Sequence, residues 1–277
     1  MPFLQAGSRL TLQVTMLKST TTAPAPDDTS TSRNVEPTPS GLIPLPGFDE
    51  KQARRLAPLS GKPAGTLVVH EIYRSLQGES TFVGLPCVFI RLTACHLRCV
   101  YCDTPHAFHH GETLVLDEVL ARALALGDPL VEITGGEPLL QPEVHDLMTR
   151  LADAGRTVLL ETSGAVDTAS VDPRVRIILD LKTPASGEVA ANVWSNVSRL
   201  RSTDEVKFVV CDRDDFEWAC ARIIEHRLAE CAPVLMSPAF GRVNPTDLAA
   251  WILESRLPVR LQIQQHKILW DPDARGV

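Results

Sequence analysis

The sequence predicts an α/β protein, a partial (β/α)6 barrel preceded by a disordered N-terminal extension. Three observations point there. Strand-like and helix-like segments alternate over about 200 residues, the pattern of parallel α/β folds. About six β/α steps can be counted, too few for a closed eight-fold barrel. Polar clusters also fall at the C-terminal ends of strands, where such folds keep their sites. Cys95 follows "VFIRLT", Gly135, Gly136 and Glu137 follow "LVEIT", Glu161 closes "TVLLE", and Lys182 follows "IILDL".

Residues 1–65 form the expected extension. Nine of the 21 prolines lie there, and "STTTAPAPDDTSTSRNVEPTPSG" is too polar to bury a core. The folded domain is expected at 66–277. "TLVVHEIY" and "PCVFIRLT" are β-branched and apolar, hence strands. "LDEVLARALALG" carries apolar residues at helical spacing and ends on Gly127. "PLVEIT" is a strand. "QPEVHDLMTRLADAG" is a helix, with Pro142 near its first turn and Gly155 beyond its last. "TVLLET", "VRIILDLK" and "EVKFVV" are strands. "DRDDFEWACARIIEHRL" is an amphipathic helix whose apolar face would carry Phe216, Cys220, Ile223 and Ile224. "APVLMSP" is a strand. "NPTDLAAWILES" is a helix, with Asn244 as N-cap and Pro245 at N1. "PVRLQIQQHK" closes the series.

The net charge of -7 leaves no basic surplus for general nucleic-acid binding. No apolar run is long enough to span a membrane. The N-terminus lacks the apolar core of a secretory signal, so a reducing, cytoplasmic setting is expected. There, clustered thiols bind metal or do redox chemistry more often than they form disulfides.

Three of the seven cysteines, Cys95, Cys99 and Cys102, lie at C-x3-C-x2-C spacing. A closed zinc site wants four ligands, and iron–sulfur clusters are commonly held by four cysteines. His96, His106, His109 and His110 are near enough in sequence to complete either. Cys87 reads as a buried strand residue, and Cys211, Cys220 and Cys231 carry no assigned role. The other possibility is that the fourth position is left open, as a catalytic zinc keeps a site for substrate. With Tyr101 just before Cys102, the loop resembles that of the radical S-adenosylmethionine (SAM) enzymes. There a 4Fe–4S cluster on three cysteines binds SAM at its open iron. Gly135-Gly136-Glu137-Pro138 matches a second segment of that family, one that contacts the SAM amino group. Its glycines allow close backbone approach, and Glu137 offers an acceptor for an ammonium. On its own this segment could be an ordinary strand-to-helix turn.

"SLQGESTFVGLPCVFIRLTACHLRC" and "CDTP" narrow the resemblance to the 7-carboxy-7-deazaguanine synthases, over about residues 67 to 270. The resemblance implies a radical SAM partial barrel. It implies conversion of 6-carboxy-5,6,7,8-tetrahydropterin to 7-carboxy-7-deazaguanine and ammonia, in queuosine biosynthesis. A 4Fe–4S cluster on Cys95, Cys99 and Cys102, SAM and Mg2+ would take part. Leu76, Gln77, Gly78, Arg91, Thr134 and His266 would contact the pterin, and Thr104 would ligate magnesium. Tyr101, Cys102, Asp103, Gly136, Glu137, Asp180, Leu181 and Lys182 would surround SAM, with Glu79 and Glu161 as further site residues. A homodimer and an electron donor such as flavodoxin or ferredoxin are implied as partners.

Several of these residues have a second reading. Arg91 interrupts an apolar strand, where a guanidinium suits a carboxylate, or it reaches solvent at the strand end. Asp103 is the stronger magnesium ligand by charge, or it caps the following turn. Lys182 is a site residue or a solvated loop lysine. His266 meets the substrate or fills a polar core site. Ser80 stands where the family usually has glycine, a strained choice if φ is positive there. Two other readings of the whole chain stay open: another radical SAM enzyme such as a glycyl-radical activase, or a non-catalytic iron–sulfur or zinc module.

Overall fold

The computed structural model describes residues 48–277, and the expected extension at 1–47 lies outside them. Within 48–65 the expected disorder gives way to structure. Helix α1, Glu50–Arg55, begins at a capping box in which the Asp49 side chain accepts from the Gln52 amide. That reciprocal cap holds a six-residue helix that composition alone would not suggest.

The sheet is built from β1 (Thr66–Leu76), β2 (Pro86–Leu92), β3 (Glu112–Val115), β4 (Leu130–Gly135), β5 (Thr157–Thr162), β6 (Arg176–Asp180), β7 (Glu205–Val210), β8 (Val234–Pro238) and β9 (Val259–Leu261). Their order is β3-β1-β2-β4-β5-β6-β7-β8-β9, an open sheet with β3 and β9 at its edges. From β2 onward the neighbours β4 to β9 run parallel, as the alternating pattern predicts. β1 departs from it, pairing antiparallel with both β2 and β3. A short connection joins β1 to β2, which permits a hairpin but no parallel crossover.

The helices are α2 (Leu116–Ala125), α3 (Val144–Asp153), α4 (Arg213–Glu225), α5 (Leu228–Cys231), α6 (Pro245–Ser255) and α7 (His266–Leu269). The connections after β5 and β6 hold no α-helix, and the second is threaded by short 3-10 turns. α6 starts as its sequence predicts, with the Asn244 side chain accepting from the Thr246 amide and Pro245 in the first turn. On α4, Phe216 and Ile223 are buried and Cys220 packs partly against the core, but Ile224 is exposed, one step round the helix from the face expected. Among the described residues, no helix is long and apolar enough to cross a membrane.

Strand alternation divides the sheet into two faces. Outward, Val88, Ile90, Leu92, Val131, Ile133, Val158 and Leu160 pack under α2 and α3. Val206, Phe208 and Val210 do the same with α4 and α6. Inward, Cys87, Phe89, Leu130, Leu159 and Ile178 form a small apolar plug. The next inward position on each of these strands is polar. Those positions make the site.

Candidate functional site

One pocket opens above the inward plug. Continuing the alternation past Phe89, Leu130, Leu159 and Ile178 brings Arg91, Glu132, Glu161 and Asp180 to the same face. Thr134 and Lys207 join them, because Arg91 pairs with Thr134 and Asp180 with Lys207 in the parallel register. The strands therefore present an apolar floor and then a charged layer, at their C-terminal ends.

The cysteine loop leaves β2 through Ala94, at φ 80°. Cys95, Cys99 and Cys102 are free thiols and all line the pocket. The loop is tied down by its own backbone and by neighbours. The Arg98 guanidinium donates to the Cys95 and Leu97 carbonyls, each at 2.7 Å, and the Val100 amide donates to the Ser186 carbonyl at 3.0 Å. Burial pushes the Cys95 thiol up to about 12 and the Cys99 thiol up to about 11, while Lys182 pulls both down. Such thiols stay protonated until a metal displaces the protons. Among the described residues, no three His, Cys, Asp or Glu side chains crowd together as ligands of one ion would. His96 is buried with its ring against Phe48, outside the pocket lining, and so does not complete a fourth position.

Gly136 packs against the loop so closely that a Cβ would collide with the Ala94 carbonyl and Cys95. Glu137, expected to face an ammonium, turns away instead. Its carboxylate is fully buried and accepts from the Leu139 amide (3.0 Å), Thr162 Oγ1 (2.9 Å) and the Ser163 amide (2.8 Å) and Oγ (2.5 Å). It pins the end of β5 to the glycine turn and has no free acceptor for a ligand. The Leu181 side chain lies in the outer core beneath the sheet, since it follows the inward Asp180 by one residue. Lys182 returns inward, donates to Asp180 Oδ2 at 2.7 Å, and sits 5.8 Å from the Tyr101 ring centroid, so it is not a solvated loop lysine. Tyr101 OH and Asp180 Oδ1 are buried beside the loop with no hydrogen-bond partner among the described residues. Orphaned polar atoms of this kind call for a polar ligand, which fits a SAM-sized cofactor at the three-cysteine loop.

The other half of the pocket is set by the β1–β2 hairpin loop and the C-terminal segment. Leu76, Gln77, Gly78, Glu79 and His266 line it. His266 lies against Gly78 so closely that any Cβ there would strike its ring. Burial lowers the His266 pKa, against Glu79 and Asp103, which keeps the ring neutral. Arg91 does not reach free solvent: Nε donates to Glu71 at 2.7 Å and Nη2 to Tyr73 OH at 2.9 Å. Nη1 donates to no group among the described residues, so one edge of the guanidinium remains available. Thr104 Oγ1 donates to Asp103 Oδ1 at 2.9 Å. Asp103 Oδ2 in turn accepts from Lys267 Nζ and Gln264 Nε2, both at 2.8 Å. Burial would raise this carboxyl, but Lys267, Gln264 and Thr104 outweigh it and hold it below the usual carboxylate range.

Two residues of the charged layer escape a motif-based reading, Lys207 and Glu132. Lys207 Nζ donates to Glu79 and, at 2.7 Å, to Glu161 Oε1; Glu161 Oε2 accepts from Thr134 Oγ1 at 3.2 Å. Glu79 Oε1 also accepts from Gln264 at 2.9 Å. One polar chain thus runs Glu161–Lys207–Glu79–Gln264–Asp103–Lys267 across the pocket. Glu132 is buried and accepts from Gln77 Nε2; burial, then Glu161 and Glu79, raise its pKa well above normal. Both residues interrupt apolar strands, "EVKFVV" and "PLVEIT", the same signal that marks Arg91.

Comparison with known proteins places the chain in a family. A model of the radical SAM superfamily matches residues 89–186. The 7-carboxy-7-deazaguanine synthase of Chlorobaculum tepidum is 44% identical over 214 residues, covering 76% of this chain and 97% of that protein. The one from Koribacter versatilis is 46% identical over 224 residues, covering 76% and 99%. The crystal structure of QueE from Escherichia coli superposes with a TM-score of 0.58 at 23% identity, over 73% of this chain and 95% of that one, and so supports the fold. With relatives matched at these identities along nearly their whole length, the chain belongs to the 7-carboxy-7-deazaguanine synthase family of radical SAM proteins.

Proposed function

We propose that the chain converts 6-carboxy-5,6,7,8-tetrahydropterin to 7-carboxy-7-deazaguanine and ammonia, as a carbon–nitrogen lyase using a 4Fe–4S cluster, SAM and Mg2+. The observation that carries this reading is the meeting, in one pocket of a chain of this family, of three loop cysteines with Arg91, Gln77 and Thr104. Cys95, Cys99 and Cys102 would hold the cluster. Tyr101, Asp103, Gly136, Asp180 and Lys182 would surround SAM. When bound, these groups supply an electron and a carbon radical able to remove a hydrogen atom from the pterin.

The remaining work falls to the chain's own side chains. Arg91, held by Glu71 and Tyr73, offers its free edge to the pterin carboxylate. Thr104 donates its hydroxyl hydrogen bond to Asp103, which turns an oxygen lone pair outward toward a cation. Asp103 is already paired with Lys267, which favours Thr104 over Asp103 as the magnesium ligand. A single neutral hydroxyl binds magnesium weakly, so substrate and water oxygens must complete the shell. Metal and substrate should therefore bind together. Neutral His266, packed on Gly78, can give or take a hydrogen bond at the substrate.

A homodimer and a flavodoxin- or ferredoxin-type reductant complete the reading. Ile268 (66% exposed) and Leu269 (51%) on α7 are exposed apolar side chains among the described residues, which supports self-association.

Two variants test the assignment. Cys99→Ala should remove the cluster's visible and electron-spin signals, and a full cluster in that variant would sink the three-thiol reading. Thr104→Ala should keep the cluster and SAM cleavage but raise the Mg2+ needed for product by about tenfold. An unchanged Mg2+ dependence would remove Thr104 from the metal.

A further inference from the structure

Glu132 is a buried acid without a counter-ion. It stands within β4, is only 3% exposed, and lines the pocket. The cations whose charge reaches it are committed to other acids: Lys207 pairs with Glu79 and Glu161, and Arg91 with Glu71. Among the described residues Glu132 makes no ion pair, and the charges of Glu161 and Glu79 oppose a further negative charge there. A carboxyl in such a place is held in its neutral form. Its Oε2 accepts from Gln77 Nε2, and Gln77 Oε1 accepts in turn from the Glu79 amide at 2.9 Å. Oε2 thus keeps the carbonyl role and the proton sits on Oε1, which has no hydrogen-bond partner among the described residues. A buried donor of this kind calls for an acceptor. The neighbours indicate what would supply it. Phe89 pairs with Glu132 in the parallel register, Tyr73 stacks on Phe89 at 5.1 Å, and both rings line the pocket. An aromatic wall beside Gln77 suits a flat bicyclic ring.

We propose that Glu132 is a further substrate-contacting residue, its Oε1 hydroxyl donating to a ring oxygen or nitrogen of the pterin that carries a free lone pair. The proposal rests on the pterin reading above. Arg91 lies opposite Thr134, two residues beyond Glu132 along β4, which is roughly 7 Å of strand. The two side chains would therefore hold the substrate at separate points, Arg91 at its carboxylate and Glu132 at its ring. A contact of this kind selects the ring itself, which a guanidinium on the carboxylate cannot do.

The test titrates 6-carboxy-5,6,7,8-tetrahydropterin into the reconstituted full chain with SAM and Mg2+, in a calorimeter, without oxygen or reductant. Glu132→Leu should weaken pterin binding by about tenfold or more. Glu132→Gln keeps a donor at the same place and should weaken it by less than about threefold. The leucine change made in a Gln77→Ala chain should weaken binding by a similar factor again. A loss that vanishes in that background would mean that Glu132 acts only through Gln77, and would overturn the direct contact. So would unchanged binding by Glu132→Leu. Should the leucine variant not fold, the wild type still decides. Its infrared difference spectrum on adding pterin should show the C=O stretch of a protonated carboxyl moving, a change absent from Glu132→Gln. A spectrum without that change would overturn the proposal. Failure of the wild type to bind the pterin at all would overturn the pterin reading and this proposal with it.

Discussion

Ser80 shows how single residues set the site. It sits at φ 60°, the left-handed region that favours glycine, and is buried. The strain costs about 1 kcal/mol, partly offset because its Oγ accepts from the Phe82 amide at 3.0 Å. The departure from the family's glycine is therefore tolerated, and Gln77 to Glu79 still line the pocket. Glu132 carries a sharper prediction. Its raised pKa means that folding favours the protonated carboxyl. That contribution is fully present below the unfolded value of about 4.3 and is lost as pH rises through the folded one. Glutamine mimics the protonated form and does not titrate. The stability of Glu132→Gln relative to wild type should therefore grow as pH is raised, by at most about 1.4 kcal/mol per pH unit. Denaturation at several pH values measures it, and a gap that stays flat or shrinks would count against the buried neutral acid. Gly136→Ala should prevent cluster assembly, since its new Cβ meets backbone that cannot yield; iron content after reconstitution reads this out. Much at this scale was legible in the sequence. A charged residue inside an apolar strand marks the inward face, which holds for Arg91 and equally for Lys207. Glu137 and Leu181 turn their side chains from the pocket, because a motif names positions while strand alternation decides which way a side chain faces.

Between elements, Lys207 is the junction. It joins Glu79 on the hairpin loop to Glu161 at the end of β5, and its side chain is 8% exposed. Lys207→Met leaves two half-buried carboxylates without their shared cation, each keeping one neutral partner, and should cost about 3 kcal/mol. Urea denaturation would show it, and a loss under about 1 kcal/mol would mean that the carboxylates find other partners. Partnerships of this kind link residues 128 positions apart, and no local pattern announces them. The same limit explains β3 and the antiparallel β1. A four-residue edge strand is recognisable only by its partner, and strand direction depends on the connection rather than the strand. α1 was hidden for another reason: its cap lies in a proline-rich stretch whose average composition conceals it.

For the whole molecule, the candidate site residues from Leu76 to Lys267 are carried by a sheet whose parallel part follows the alternation of the sequence. Removing residues 1–47 should leave product formation unchanged. Removing residues 1–60 also takes Arg55 from the His96 carbonyl, and should lower the melting temperature. Equal behaviour of the two truncations would show that α1 contributes nothing. The central claim is the fate of the pterin. Reconstituted protein is incubated without oxygen with SAM, dithionite, Mg2+ and 6-carboxy-5,6,7,8-tetrahydropterin, and the products are followed by mass. The account predicts 7-carboxy-7-deazaguanine, dependent on all four additions. SAM cleavage without any deazaguanine would contradict it and return the chain to a different radical reaction.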